Sequence, residues 1–115
     1  MVLVALVYVA KHKPDYCILE CGLGARLDAT NIIKAHMGIL TGVALDHTSI
    51  LGVHLDAIFY EKQFVWKSDS INLYFGDYHS LKTKFLLAKY NVISVQKAIQ
   101  TTNAPKSIPK SIING

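Results

Sequence analysis

Three residues in this sequence have side chains that could do chemistry together: Glu20, His47 and Lys62. Glu20 closes the apolar run Tyr16-Cys-Ile-Leu19 and opens a glycine-containing loop. His47, with Asp46 before it, closes a second apolar run over about 37–45. Open α/β sheets place their ligand sites at the carboxyl ends of strands, so if the two runs are neighbouring strands both residues face one crevice. Lys62 falls at helical spacing from Ile58, Phe59, Val65 and Trp66. An ammonium aimed at apolar neighbours is costly, and its pKa is expected to fall. A lysine that is neutral part of the time can add carbon dioxide, and the resulting carbamate is an oxygen ligand. Carboxylate, imidazole and carbamate beside a nucleotide's phosphates would suit Mg²⁺ or Mn²⁺. Each residue also has a plainer reading. The lysine stem can pack while its charge reaches water, and a core glutamate and a loop histidine can be satisfied by backbone.

The elements that must position these groups follow from the pattern. Residues 16–19 read as a buried strand, and 37–45 as a second strand whose Gly38 and Gly42 allow close approach to its backbone. The loop over 22–35 is rich in Gly, Asp, Thr and Asn, which suits a backbone folded around a ligand. Leu55, Ile58, Phe59, Val65 and Trp66 define one helix face. Ser68-Asp-Ser70 breaks that helix, and Ile71–Phe75 reads as a third strand. Gly76-Asp77 is expected to cap a second amphipathic helix bearing Tyr78, Leu81, Phe85 and Ala88 on one face. Asn91–Val95 is a last short strand. Strands alternating with helices give an α/β fold, a partly parallel sheet with flanking helices. The apolar opening over about 2–12 reads as a buried core segment, its pattern fitting helix or strand.

The 115 residues allow one domain with a modest core. Residues 1–100 are assigned to it, and 101–115 form a polar, disordered tail. The net charge is +4, with many of the lysines in the last third and Arg26 the only arginine. Without an arginine cluster or interleaved aromatics, this reads as a solvated surface rather than a nucleic-acid patch. Cys17 and Cys21 lie too far apart on a straight strand to bond, and no further cysteine completes a zinc site. The apolar opening is about half the length of a membrane span and lacks the flanks of a signal peptide. A cytoplasmic protein with reduced thiols is expected.

The wording of the loop narrows the field. Glu20-Cys-Gly-Leu-Gly-Ala-Arg-Leu-Asp-Ala-Thr-Asn31 resembles the signature of the folylpolyglutamate synthase/dihydrofolate synthase family, within the Mur ligase superfamily. Leu45-Asp-His-Thr-Ser-Ile-Leu-Gly52 is similar to that family's second signature and Glu61-Lys62 to its third, in the same order and at fitting separations. The likeness covers about residues 14–67. It implies a P-loop-type central ATPase domain and an ATP-dependent ligase. Such an enzyme converts a folate-type carboxylate to an acyl phosphate, which the amino group of glutamate attacks to form an amide. By this resemblance Glu20 and His47 correspond to magnesium ligands and Lys62 to a carbamylated lysine. Leu27, Asp28 and Ala29 correspond to the loop that contacts the pterin substrate. Implied partners are ATP, folate or dihydropteroate, and glutamate.

The sequence also departs from that pattern. Ala25 stands where the family has a second glycine, which would add strain if the position needs φ > 0. Gln63 and Phe64 replace small residues after the lysine, and Gly42 and Ala44 replace Asn and Gly. No G-x-x-x-x-G-K-[ST] occurs anywhere, so the phosphate-cradling loop is missing. The chain therefore reads as an internal piece of the ATPase domain, inactive alone, with exposed sheet edges open to association. Two alternatives remain open: a non-catalytic remnant that serves as a binding module, and a fragment of a cell-wall Mur ligase. Leu27-Asp-Ala-Thr-Asn31 favours the folate branch over the latter.

Overall fold

A computed structural model describes residues 1–77 and 80–96. The second strand forms over Met37–Leu40 (β1) and the third over Ile71–Tyr74 (β2), with a short β3 at Ile93–Ser94. All three run parallel in the order β1-β2-β3, with Met37 opposite Ile71 and Leu73 opposite Ile93. The fold is thus α/β with a parallel sheet, as the alternation of strands and helices requires.

One face of that sheet carries the core. Leu40 from β1 and Tyr74 from β2 pack on Phe59 and Trp66. Phe59 lies in helix α3 (Leu55–Lys62), and Trp66 follows the 3₁₀ turn Gln63–Val65 that extends it. The three rings meet edge to face with centroids 5.7 to 6.0 Å apart, the favoured geometry for aromatic pairs. The Trp66 indole donates to the Leu73 carbonyl at 3.2 Å, so its one polar atom is satisfied. Buried Asn72 joins three segments: its amide donates to the carbonyls of Lys67 and Tyr90 and accepts from the Lys67 N–H.

Gly38 is required by the close approach anticipated in the sequence. An added methyl there would land on the Val65 carbonyl oxygen, whereas the space around Gly42 is open.

Three expectations are corrected. Residues 16–19 are neither paired nor buried: Tyr16 is 90% and Ile18 94% exposed. A strand is held by a hydrogen-bonded neighbour, and among the described residues no backbone bond reaches 14–20. The opening segment is helix α1 (Val2–His12), ended by Lys13 in the left-handed conformation, yet none of its residues is buried. Among the described elements it packs near the 3₁₀ turn Ala29–Ile32.

Helix α4 spans Leu81–Lys89 and is capped by Ser80 rather than by Gly76-Asp77. The Ser80 hydroxyl accepts from the Thr83 N–H and donates to Asp56 on α3, at 3.1 and 2.7 Å. That tie fixes the rotation of α4: Thr83, Leu86 and Leu87 turn inward, and Leu81 and Phe85 are left 85% and 68% exposed. Tyr78, expected on the buried face, lies outside the described residues, as does the tail beyond residue 96. No helix among the described residues is long and apolar enough to cross a membrane.

Replacing Gly38 by alanine is expected to cost about 1–3 kcal/mol, because β1 and the 3₁₀ turn must separate to admit the methyl. Urea unfolding followed by Trp66 fluorescence measures the loss, and Gly42→Ala, in open space, is expected to be close to neutral.

Candidate functional site

The loop between α1 and β1 is built by its own polar residues. Asp28 caps the 3₁₀ turn Ala29–Ile32: one carboxylate oxygen accepts from the Thr30 N–H at 2.8 Å and the Thr30 hydroxyl at 2.6 Å. The other oxygen reaches back to the Gly22 N–H at 2.9 Å. These three donors, the Thr30 hydroxyl foremost, hold the carboxyl pKa below its ordinary value. With the carboxylate turned inward, Leu27 and Ala29 on either side are exposed, Leu27 by 81%.

Glu61 fastens this loop to the end of α3. Its carbonyl accepts the N–H groups of Ala25 and Arg26 at 2.9 and 3.1 Å. Its carboxylate takes the Arg26 Nε–H between both oxygens, at 2.9 and 3.0 Å. That bond, then the opposite charge, pushes the guanidinium pKa further up. Asn31 adds a second tie, donating to the Arg26 carbonyl at 3.1 Å and accepting from the Lys67 ammonium, which also donates to the Phe64 carbonyl.

Gly24 is where the three sequence motifs meet. It has φ +66°, and a methyl on it would press against Leu51 of the second motif and Glu61 of the third. Neighbouring Ala25 is buried and has no positive φ, so the alanine in place of the family's glycine carries no backbone strain. Sequence reasoning passed over Arg26 and Glu61 as a pair. Their signal was present: the chain's single arginine lies in one motif and a glutamate adjoins the lysine of another.

His47 lies just before the one-turn helix α2 (Thr48–Leu51) in the left-handed region, at φ 49°. Its carbonyl accepts from Ile50 and Leu51, and its N–H donates to the Asp46 carboxylate at 2.8 Å. The imidazole is 58% exposed, with Nε2 3.6 Å from Asp46. A separate open depression, which His47 does not line, is formed by Leu45, Val53, His54, Leu55 and Asp56. Lys62 ends α3, half-buried, next to the Glu61 clamp. Glu20 is exposed at the end of the unpaired segment.

Glu61, which precedes Lys62 on α3, therefore ties the loop at Ala25 and Arg26 to the end of that helix, and Gly24 lies against both Leu51 of α2 and Glu61. Among the described residues no three His, Cys, Asp or Glu side chains gather as a metal nest, so the donors present do not by themselves fit a bound cation.

No family model matches the sequence. Individual proteins do. The dihydrofolate synthase/folylpolyglutamate synthase of Buchnera aphidicola subsp. Baizongia pistaciae is 34% identical over an alignment 103 positions long that covers 84% of this chain and 24% of the relative. The enzyme of that name from Escherichia coli is 49% identical over 55 residues, 48% of this chain and 13% of the relative. Among solved structures, the bifunctional folylpolyglutamate synthase/dihydrofolate synthase of Yersinia pestis, complexed with AMPPNP and a Mn ion, superposes with a TM-score of 0.71 at 33% identity. That match covers 81% of this chain and 23% of the other.

The chain corresponds to a segment of the dihydrofolate synthase/folylpolyglutamate synthase family. It spans less than a quarter of the length of each of these relatives. The family resemblance read from the loop wording thus agrees with the comparisons, and the α/β fold agrees with the solved structures of the family.

Folding lowers the Asp28 pKa, so the folded state prefers the ionised form. Its stabilisation is fully present above the unfolded value of about 3.9 and is lost as pH falls through the lower folded value. Acid titration followed by the amide resonances of Gly22 and Thr30 is expected to move both together, and Asp28→Asn is expected to remove the transition. Arg26→Ala is expected to speed hydrogen exchange at the Ala25 and Arg26 amides while leaving the β1–β2 ladder protected.

Proposed function

We propose that this chain is part of an ATP-dependent ligase that joins a folate-type carboxylate to L-glutamate through an acyl phosphate. The reading is supported above all by the way Glu61 holds the loop at Ala25 and Arg26 on the end of α3, leaving Leu27 and Ala29 exposed. A loop that presents short apolar side chains on a fixed backbone suits a flat heteroaromatic substrate. Relatives whose names carry both folate activities, and solved structures holding ATP analogues, support it as well.

In this reading Leu27, Asp28 and Ala29 form the pterin-contacting loop. Asp28 works by shaping the turn, and its neighbours provide the contact. Glu20 and His47 would each contribute one ligand to a Mg²⁺ or Mn²⁺ in the intact enzyme, and Lys62 would be its carbamylated lysine. With two such side chains and no phosphate loop in the sequence, the chain alone lacks what it needs to hold a triphosphate. ATP, folate or dihydropteroate, and glutamate are its small-molecule partners in the intact enzyme, in a cytoplasmic setting. What this chain supplies to catalysis is position: a substrate loop and a lysine kept in register by Glu61.

The purified chain is expected to hydrolyse ATP and glutamylate folate no faster than a Lys62→Ala control. Turnover above that control would overturn the inactivity. Carbamylation is tested separately: ¹³C-labelled carbon dioxide is expected to give a carbamate resonance that Lys62→Ala removes. If the same resonance persists in that variant, Lys62 is not the modified residue.

A further inference from the structure

Helix α4 has apolar side chains on two faces, and the fold covers one of them. Leu86 and Leu87 pack on the aromatic core beside buried Thr83, whereas Leu81, Phe85 and Ala88 are exposed. With about 3.6 residues per turn, these three share one face. Lys82 and Lys89 border that face on one side and Lys84 on the other. Leu81, Lys82, Phe85 and Leu86 line an open, largely apolar depression of about 370 Å³.

No carboxylate balances these lysines. Among the described residues none of the three ammonium groups has an ion-pair partner, although that of Lys89 stands 5.0 Å from the Tyr90 ring centroid. Helix α4 contains no Asp or Glu, and after Asp77 the sequence has none either. A complementary partner therefore brings both apolar side chains and negative charge. This chain does not supply one. The residues beyond 96 carry Lys97, Lys106 and Lys110, and no two of the chain's eight carboxylates lie within four residues of each other. Neither the tail nor a second copy thus offers an acidic helix face. A bilayer would meet only two large apolar side chains, because the core holds the opposite side of the helix. The depression instead suits a side chain that protrudes from a helix laid along α4.

We propose that the Leu81–Phe85 face of α4 docks an acidic amphipathic helix of another polypeptide. One apolar side chain of that helix fills the depression, and its carboxylates meet Lys82, Lys84 and Lys89. This goes beyond the ligase reading and uses none of the residues of that site.

A synthetic peptide of about 15 residues tests it, with leucines spaced by three and four and glutamates on both flanks. Titrated into the full chain, the peptide is expected to bind, to shift the amide resonances of α4, and to bind more weakly as salt is raised. Phe85→Ser is expected to weaken binding by about tenfold or more. Lys82→Glu together with Lys84→Glu is expected to abolish it, and to confer binding of a matched peptide with lysine in place of glutamate. These side chains are exposed, and unchanged Trp66 fluorescence verifies that each variant is folded. Absence of binding by the acidic peptide would overturn the proposal, as would equal binding of the lysine peptide by the unaltered chain. Tighter adsorption to phosphatidylserine vesicles than to the peptide would assign the face to a membrane instead. Self-association that Phe85→Ser removes would assign it to a second copy.

Discussion

Glu61 holds the candidate site together, because one residue acts with its main chain and its side chain on the same loop. The carbonyl of an ordinary helical residue near the C-terminus is left without an intrahelical partner. Here that orphan acceptor receives two consecutive N–H groups from Ala25 and Arg26, and the carboxylate closes on the arginine between them. The backbone bonds set where the loop sits, and the ion pair adds directionality at a half-exposed surface. A charge pair alone at such a place would contribute little. Combined with two backbone bonds, it decides which loop conformation can coexist with the end of α3.

This arrangement makes the site a consequence of the core. Helix α3 is held by Ile58 and Phe59, buried against the rest of the chain, and its last turn carries Glu61 and Lys62 outward. The loop then docks on that turn, and its 3₁₀ segment docks on Lys67 through Asn31. Positioning therefore runs from aromatic packing, to helix end, to loop. The exposed elements, α1 and residues 14–20, hang from this assembly and take little part in it.

Much of the sheet was legible in the sequence, because β1, β2 and β3 are short apolar runs bounded by turn residues. The helix through Phe59 was legible too, its apolar positions recurring at one spacing. What misled was the assumption that an apolar run implies burial. Residues 16–19 have the composition of a strand, but pairing depends on a neighbour that composition does not reveal. In α4, two apolar stripes competed: Leu81 with Phe85, and Leu86 with Leu87. Tertiary contacts chose between them: Ser80 bonds to Asp56, and Leu86 and Leu87 pack on the aromatic core. Within the site, the motif wording pointed to the loop and to Lys62. The inward turn of Asp28 and the pairing of Arg26 with Glu61 depend on tertiary geometry, which spacing along the chain does not encode.

The backbone at Ala25 bears on how this segment folds. Gly24 keeps the left-handed torsion that the loop needs, while Ala25 adopts a conformation open to any L-residue and buries its methyl. A glycine at position 25 would leave the denatured chain more conformations to lose on ordering. Alanine in a compatible torsion removes part of that disorder, a gain of about 0.4–1 kcal/mol. The loop is thus partly ordered in advance by a side chain that forms no polar bond at all.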